Sequence, residues 1–135
     1  MKNITTILIA GALVLIVSIG LLYGGITFFP ALMDEYYNSV FRSNSFTTDL
    51  LFYVHPFILS AAMFWFWEIS KELFTGSSLM RAYKVGVSYG LIAMVPVLWL
   101  TFSAIDVSPL MVFTWVAYGV LQAFIACMVF AKRNP

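Results

Sequence analysis

The sequence predicts an all-α fold, a transmembrane up-down bundle of four helices, and three observations predict it. The 135 residues are 62% hydrophobic and only 10% charged, whereas a soluble domain usually carries about 25% charge. The few charges fall between four long uncharged runs, residues 3–33, 50–67, 85–105 and 107–131. Six of the seven basic residues collect on one side of the membrane once those runs are taken as spans. The composition excludes a soluble globular enzyme, a disordered chain and a DNA-binding domain. A net charge of +1 implies no nucleic-acid partner.

A helix needs about 20 apolar residues to cross some 30 Å of hydrocarbon, and each run is long enough. The runs are continuously apolar, whereas barrel strands alternate lipid-facing and lumen-facing residues. A helix also satisfies every backbone group within its own segment. The expected spans are approximately 4–29, 50–69, 80–105 and 109–131, forming one domain over 1–135. No internal repeat is present, and the two halves differ in loop length and motif.

The first span begins after Lys2 and at first imitates a secretory signal. Its apolar run continues through Leu21, Leu22, Ile26, Phe28 and Phe29 with no A-x-A site, which predicts a retained helix. The loop at 30–49 carries Asp34, Glu35, Tyr36 and Tyr37, then Phe41, Arg42 and Phe46. It is expected to form a short amphipathic helix on the membrane and to offer a surface to an extracytoplasmic partner. Neither Asn38 nor Asn44 begins an N-x-[ST] glycosylation site.

The second span contains His55 and Pro56 and ends in Phe64, Trp65, Phe66 and Trp67, read as an interfacial anchor. Trp99 in the third span is likewise placed near an interface. Glu68 and Lys71, three residues apart, pair weakly. Gly76 is expected to end the helix as a left-handed cap, and Ser77 or Ser78 to begin the third. Pro96 lies mid-way along the third span, where it predicts a bend. Ser108 followed by Pro109 reads as a cap and first helical residue, so the third and fourth helices form a tight hairpin.

Lys2, Lys71, Arg81, Lys84, Lys132 and Arg133 share one side, and only Arg42 stands with the acidic loops on the other. By the positive-inside rule both termini are expected in the cytoplasm, which agrees with an even number of spans. The expected location is an integral membrane protein of the bacterial inner membrane type.

Small residues are the clearest motifs. Gly20 and Gly24 form a GxxxG pair, as do Gly86 and Gly90, while Gly119, Ala123 and Cys127 recur four apart. Such stripes let helix backbones approach, which matters where lipid supplies no hydrophobic drive to association. The depth of Gly86 and Gly90 predicts contact with the fourth helix near Ala123. The same stripes suit a homo-oligomer or a membrane-protein partner.

His55, an intramembrane ionisable group, is a functional candidate, with Asp49, Asp106 or the Asp34–Glu35 pair as partners. Tyr23, Thr27, His55, Trp99, Thr101, Thr114, Trp115 and Tyr118 are candidates to line an outward-facing pocket near Pro96 for an apolar or amphipathic molecule. Gln122 is expected to bond another helix. Lone Cys127 excludes an internal disulfide, and one histidine excludes a bis-His haem within a single chain. No P-loop, HExxH or GxSxG is present, and no span hides a central carboxylate of the kind a small proton-coupled antiporter needs. No cofactor or metal is expected.

The Leu22, Tyr23, Gly24, Gly25 sequence, the acidic aromatic loop and the three helices after it resemble small uncharacterised four-helix bacterial membrane proteins. The resemblance implies a layout and no activity. The leading expectation is a non-catalytic accessory or self-associating component acting through helix packing in the lipid bilayer. The alternative is a binder or transporter of a small amphipathic molecule through the pocket near His55 and Pro96. A membrane enzyme using His55 with Asp49 or Asp106 is the third.

Overall fold

A computed structural model describes residues 2–30, 34–37, 39–43 and 45–135. Those residues are all-helical, with 84% helix and no strands. Four helices are long and apolar enough to cross a membrane. They are α1 (Lys2–Phe28), α2 (Phe46–Ser70), α3 (Ser78–Ala104) and α4 (Pro109–Arg133).

Local chemistry sets the boundaries. Ser45 accepts a hydrogen bond from Thr48 N at 3.3 Å, so α2 starts at Phe46, four residues before the uncharged run begins. Ser77 accepts from Met80 N at 3.3 Å and Ser108 from Met111 N at 3.1 Å, fixing the starts of α3 and α4. Gly76 has φ +121°, the left-handed conformation glycine tolerates. It does not end α2, however: the helix stops at Ser70 with Lys71 as its cap, and Gly76 turns the connection five residues later.

Several hydroxyls inside the helices bond carbonyls of the preceding turn, although the buried Ser60 Oγ has no such partner. Ser18 donates to Val14 O at 2.7 Å, Ser70 to Phe66 O at 2.6 Å and Thr101 to Val97 O at 3.0 Å. An apolar helix can thus carry these groups without leaving a donor unmet. In α3, a π turn at Gly90–Met94 separates two α-helical stretches, Ser78–Tyr89 and Val95–Ala104. The wide turn stands immediately before Pro96, which has no N–H and whose ring obstructs the carbonyl four residues back. Where the sequence predicts a bend, the backbone widens by one residue.

Helix α4 is the hub. It packs on α1, α2 and α3, and α1 also packs on α2. Arg133 reaches Thr6, and Ser78 reaches Ala131 O, so the start of α1, the α2–α3 connection and the end of α4 share one end, the termini end. Glu35 reaches Ser108 N, joining the first loop to the α3–α4 turn at the loop end.

The core lies in the half nearest the termini. Ala10 and Val14 of α1 meet Leu59, Met63, Phe64 and Trp67 of α2, together with Ala123, Ala126, Cys127 and Phe130 of α4. Phe64 and Phe130 pack edge to face, 5.3 Å between centroids. Towards the loop end, burial falls away. No residue of the Val95–Ala104 stretch is buried, and in α2 the buried positions begin at Pro56.

Candidate functional site

Four glycines sit where helices approach. A Cβ on Gly86 would stand 3.2 Å from Phe124 Cβ and 3.3 Å from its backbone, while one on Gly90 would overlap Val120. A Cβ on Gly119 would lie 2.5 Å from Met94 Cε, and one on Gly11 2.5 Å from the Phe57 ring. Ala123 is fully buried in the same α3–α4 seam region, with Cys127 one turn on. Gly20 and Gly24 are different: nothing lies within 4 Å of a Cβ on either. At these two positions α1 is not closely approached by the other described residues.

A polar cluster joins α1 and α4 inside the apolar region. Gln122 donates through Nε2 to Ser18 Oγ at 3.0 Å. The Tyr118 side chain lies beside the same hydroxyl. Ser18 therefore acts as donor to its own helix and acceptor from α4.

A second cluster closes the termini end. Trp67 is fully buried, donates through Nε1 to Asn134 O at 2.9 Å, and carries the Arg81 guanidinium 4.7 Å from its ring centroid. Arg81 Nη2 donates to Lys71 O at 3.1 Å. Asn134 also receives Lys71 Nζ at 3.3 Å and donates to Glu68, which pairs with Lys71 at 3.6 Å. Trp67 and Phe64 are thus core residues, correcting the reading of the aromatic run as an interfacial anchor; Trp65, 67% exposed, still faces outward. Spacing explains the split, since positions 64 and 67 share the face turned to α4 and position 65 does not.

The third cluster docks the first loop. A 3-10 turn at Asp34–Tyr37 brings the Glu35 carboxylate to Ser108 N, 3.1 Å, at the α4 cap, where a negative charge faces the positive end of the helix. Tyr36 Oη accepts from Trp115 Nε1 at 2.7 Å. Phe41 packs against both rings, 5.3 Å from Tyr36 and 6.1 Å from Trp115. Among the described residues the loop forms a strap on α4, and the amphipathic surface helix expected for it falls partly on undescribed residues. Residues 31–33, Asn38 and Asn44 lie outside the described residues.

The eight residues proposed for an outward pocket are not gathered into one. Tyr23 is 67% and Trp99 72% exposed. The Thr27, Thr101 and Thr114 hydroxyls bond their own helices. Trp115 belongs to the strap and Tyr118 to the Ser18 cluster. His55 is exposed, and among the described residues the ion pair formed is Lys71–Glu68, so Asp49 and Asp106 do not engage it. Sequence reasoning missed the Glu35–Ser108 contact, because a 73-residue separation leaves no local signal. It also missed Asn134 as the closing residue of the Trp67 cluster.

Among the described residues, no group of three or more His, Cys, Asp or Glu side chains is placed to hold a metal ion. In comparisons with protein-family models, curated proteins and solved structures, the chain matches none.

Proposed function

We propose that the protein is a small integral membrane protein, an up-down four-helix bundle with both termini in the cytoplasm, that acts without catalysis by packing against other membrane helices. The observation that carries this reading is the contrast among the glycines. Gly11, Gly86, Gly90 and Gly119 each face a neighbouring helix of the same chain, whereas a Cβ on Gly20 or Gly24 meets no atom of the described residues within 4 Å. Close packing is the main source of helix association in lipid, and a glycine pair left open on α1 suits a helix of a second subunit, either a further copy of this chain or another membrane protein. The charge asymmetry of the sequence supports the orientation, with a bacterial inner membrane as the setting.

Native-condition mass spectrometry from lipid nanodiscs tests the reading. The wild-type chain is expected as an assembly, and Gly20→Leu with Gly24→Leu as the monomer with its helix content kept. An assembly unchanged by both substitutions, or a wild-type monomer with no partner, overturns it. Orientation is tested by labelling Ser43→Cys and Thr75→Cys with a membrane-impermeant maleimide; only the first is expected to react from outside.

A further inference from the structure

We infer that Arg81, with Lys84 beside it, binds the phosphate of an anionic ligand at the termini end, where the α2–α3 connection meets the start of α3. The inference rests on the reading of the chain as a membrane protein and not on its assembly with other helices. Arg81 carries it. Its side chain is partly buried, and its Nε is enclosed without a hydrogen-bond partner. The guanidinium lies 4.7 Å from the centroid of the fully buried Trp67 ring, and Nη2 donates to Lys71 O at 3.1 Å. A guanidinium has five N–H donors, and among the described residues this one is engaged. No carboxylate answers the charge. Glu68 pairs with Lys71 and accepts from Asn134, while Glu72 forms no ion pair among the described residues. A cation drawn partly out of water and left without a counter-ion is costly, so the site calls for an anion from outside the chain.

The surroundings set the class of anion. Lys84, three residues further along α3, donates to Thr75 O at 3.0 Å and likewise forms no ion pair among the described residues. Both cations therefore fold back over the same connection, as neighbours on one helix face. A planar guanidinium presents parallel N–H groups to an oxyanion, and an ammonium adds a point charge, a combination suited to phosphate. Arg81 lies in the first turn of an apolar span that starts at Ser78, the depth of lipid phosphates. Leu79, Met80 and Tyr83, all exposed, put apolar surface beside the charges, as a ligand with both a phosphate and a hydrocarbon part requires. The phosphate chemistry is shared by an anionic lipid headgroup and a free phosphate monoester.

The test titrates phosphatidylglycerol into the full chain in neutral detergent and follows lipid adducts by native mass spectrometry. Adduct and assembly masses are read in one spectrum, so a chain that stays monomeric still reports on the site. Saturable retention of phosphatidylglycerol is expected, with zwitterionic phosphatidylcholine about 5-fold weaker or more. Arg81→Gln is expected to weaken retention by about 5-fold or more, and Lys84→Gln by about 3-fold. Arg81→Lys keeps the charge and loses the fork, and is expected to weaken it about 3-fold. Lys132→Gln, at an exposed base of the same end, is expected to stay within about 2-fold of wild type, as a site rather than a diffuse surface field requires. Helix content and melting temperature without added lipid confirm that the variants fold. Glycerol 3-phosphate separates the sources: if it displaces the lipid the site belongs to a free phosphate, and if it does not the site belongs to a headgroup. No saturable adduct, equal retention of phosphatidylcholine, wild-type retention by Arg81→Lys, or equal losses in Lys132→Gln and Arg81→Gln overturns the inference.

Discussion

Gln122 of α4 and Ser18 of α1, 104 residues apart in sequence, are joined by a 3.0 Å hydrogen bond, and both are buried. The bond is a polar tie between the first and last helices, and it sits where the alternative is an unmet amide in apolar surroundings. Replacing Gln122 by Met removes the amide at similar volume. A loss of roughly 0.5–1.5 kcal/mol is expected, in keeping with interhelical hydrogen bonds in membranes. Ser18→Ala added to that variant is expected to change little more, because the two side chains share one interaction. A double-mutant cycle by reversible unfolding in mixed micelles measures the coupling; full additivity would show that the bond contributes nothing.

The Trp67 cluster separates ring from N–H. Trp67→Phe keeps an aromatic surface under Arg81 and removes the Nε1 bond to Asn134 O. It is expected to cost about 1–2 kcal/mol, a lost hydrogen bond plus partial loss of volume. Trp67→Ala, which opens a cavity in a fully buried site, is expected to cost about 3–5 kcal/mol. Unfolding free energies for the two variants should therefore differ by at least the uncertainty of either.

Glycine positions divide into two groups with opposite outcomes. A valine at Gly86 or Gly90 meets Phe124 backbone or Val120, and overpacking of this kind costs about 1–3 kcal/mol. A Cβ at Gly20 or Gly24 meets no described atom within 4 Å, and leucine there is expected to leave the melting temperature of the isolated chain unchanged or raised, since leucine favours helix over glycine by up to about 1 kcal/mol. Thermal melts of the four single variants in detergent decide the matter.

The strap on α4 is testable with trypsin. Arg42 is the one basic residue between Lys2 and Lys71, and it lies in the loop that Tyr36 and Phe41 hold against Trp115. Tyr36→Phe removes the hydrogen bond and leaves the ring. Cleavage after Arg42 is expected to quicken about 3- to 10-fold, matching a bond worth about 1 kcal/mol. A rate equal to wild type would place the opening of the loop elsewhere.

The helices were legible because their signals are local. Runs free of charge mark the four spans, and Ser77 and Ser108 announce their caps within three residues of the bonds they make. The start of α2 was less legible, since Asp49 interrupts the uncharged run although Ser45 caps the helix before it. Side-chain neighbours were harder to read. Tyr23, Thr27 and Trp99 share a depth with Trp115 and Tyr118, but depth does not fix which way a helix is rotated, and α1 and the outer part of α3 turn these groups outward or into their own backbones. Trp67 lay in a run of four aromatics whose partition between core and surface depends on where α4 passes. That position is set by contacts such as Gly86 with Phe124, made far away in the chain.

The wide turn at Gly90–Met94 changes what an alteration in chain length does to α3. In an ordinary helix each added or removed residue swings everything beyond it by about 100°. A π turn instead takes up one surplus residue within its own circumference. Removing a single residue between Gly90 and Met94 would close the surplus, and the Val95–Ala104 stretch would keep its compass bearing while moving about 1.5 Å along the axis. The same deletion placed in α1 would rotate every later side chain on that helix. Length variation is thus absorbed at one point of α3, immediately ahead of Pro96, and transmitted everywhere else.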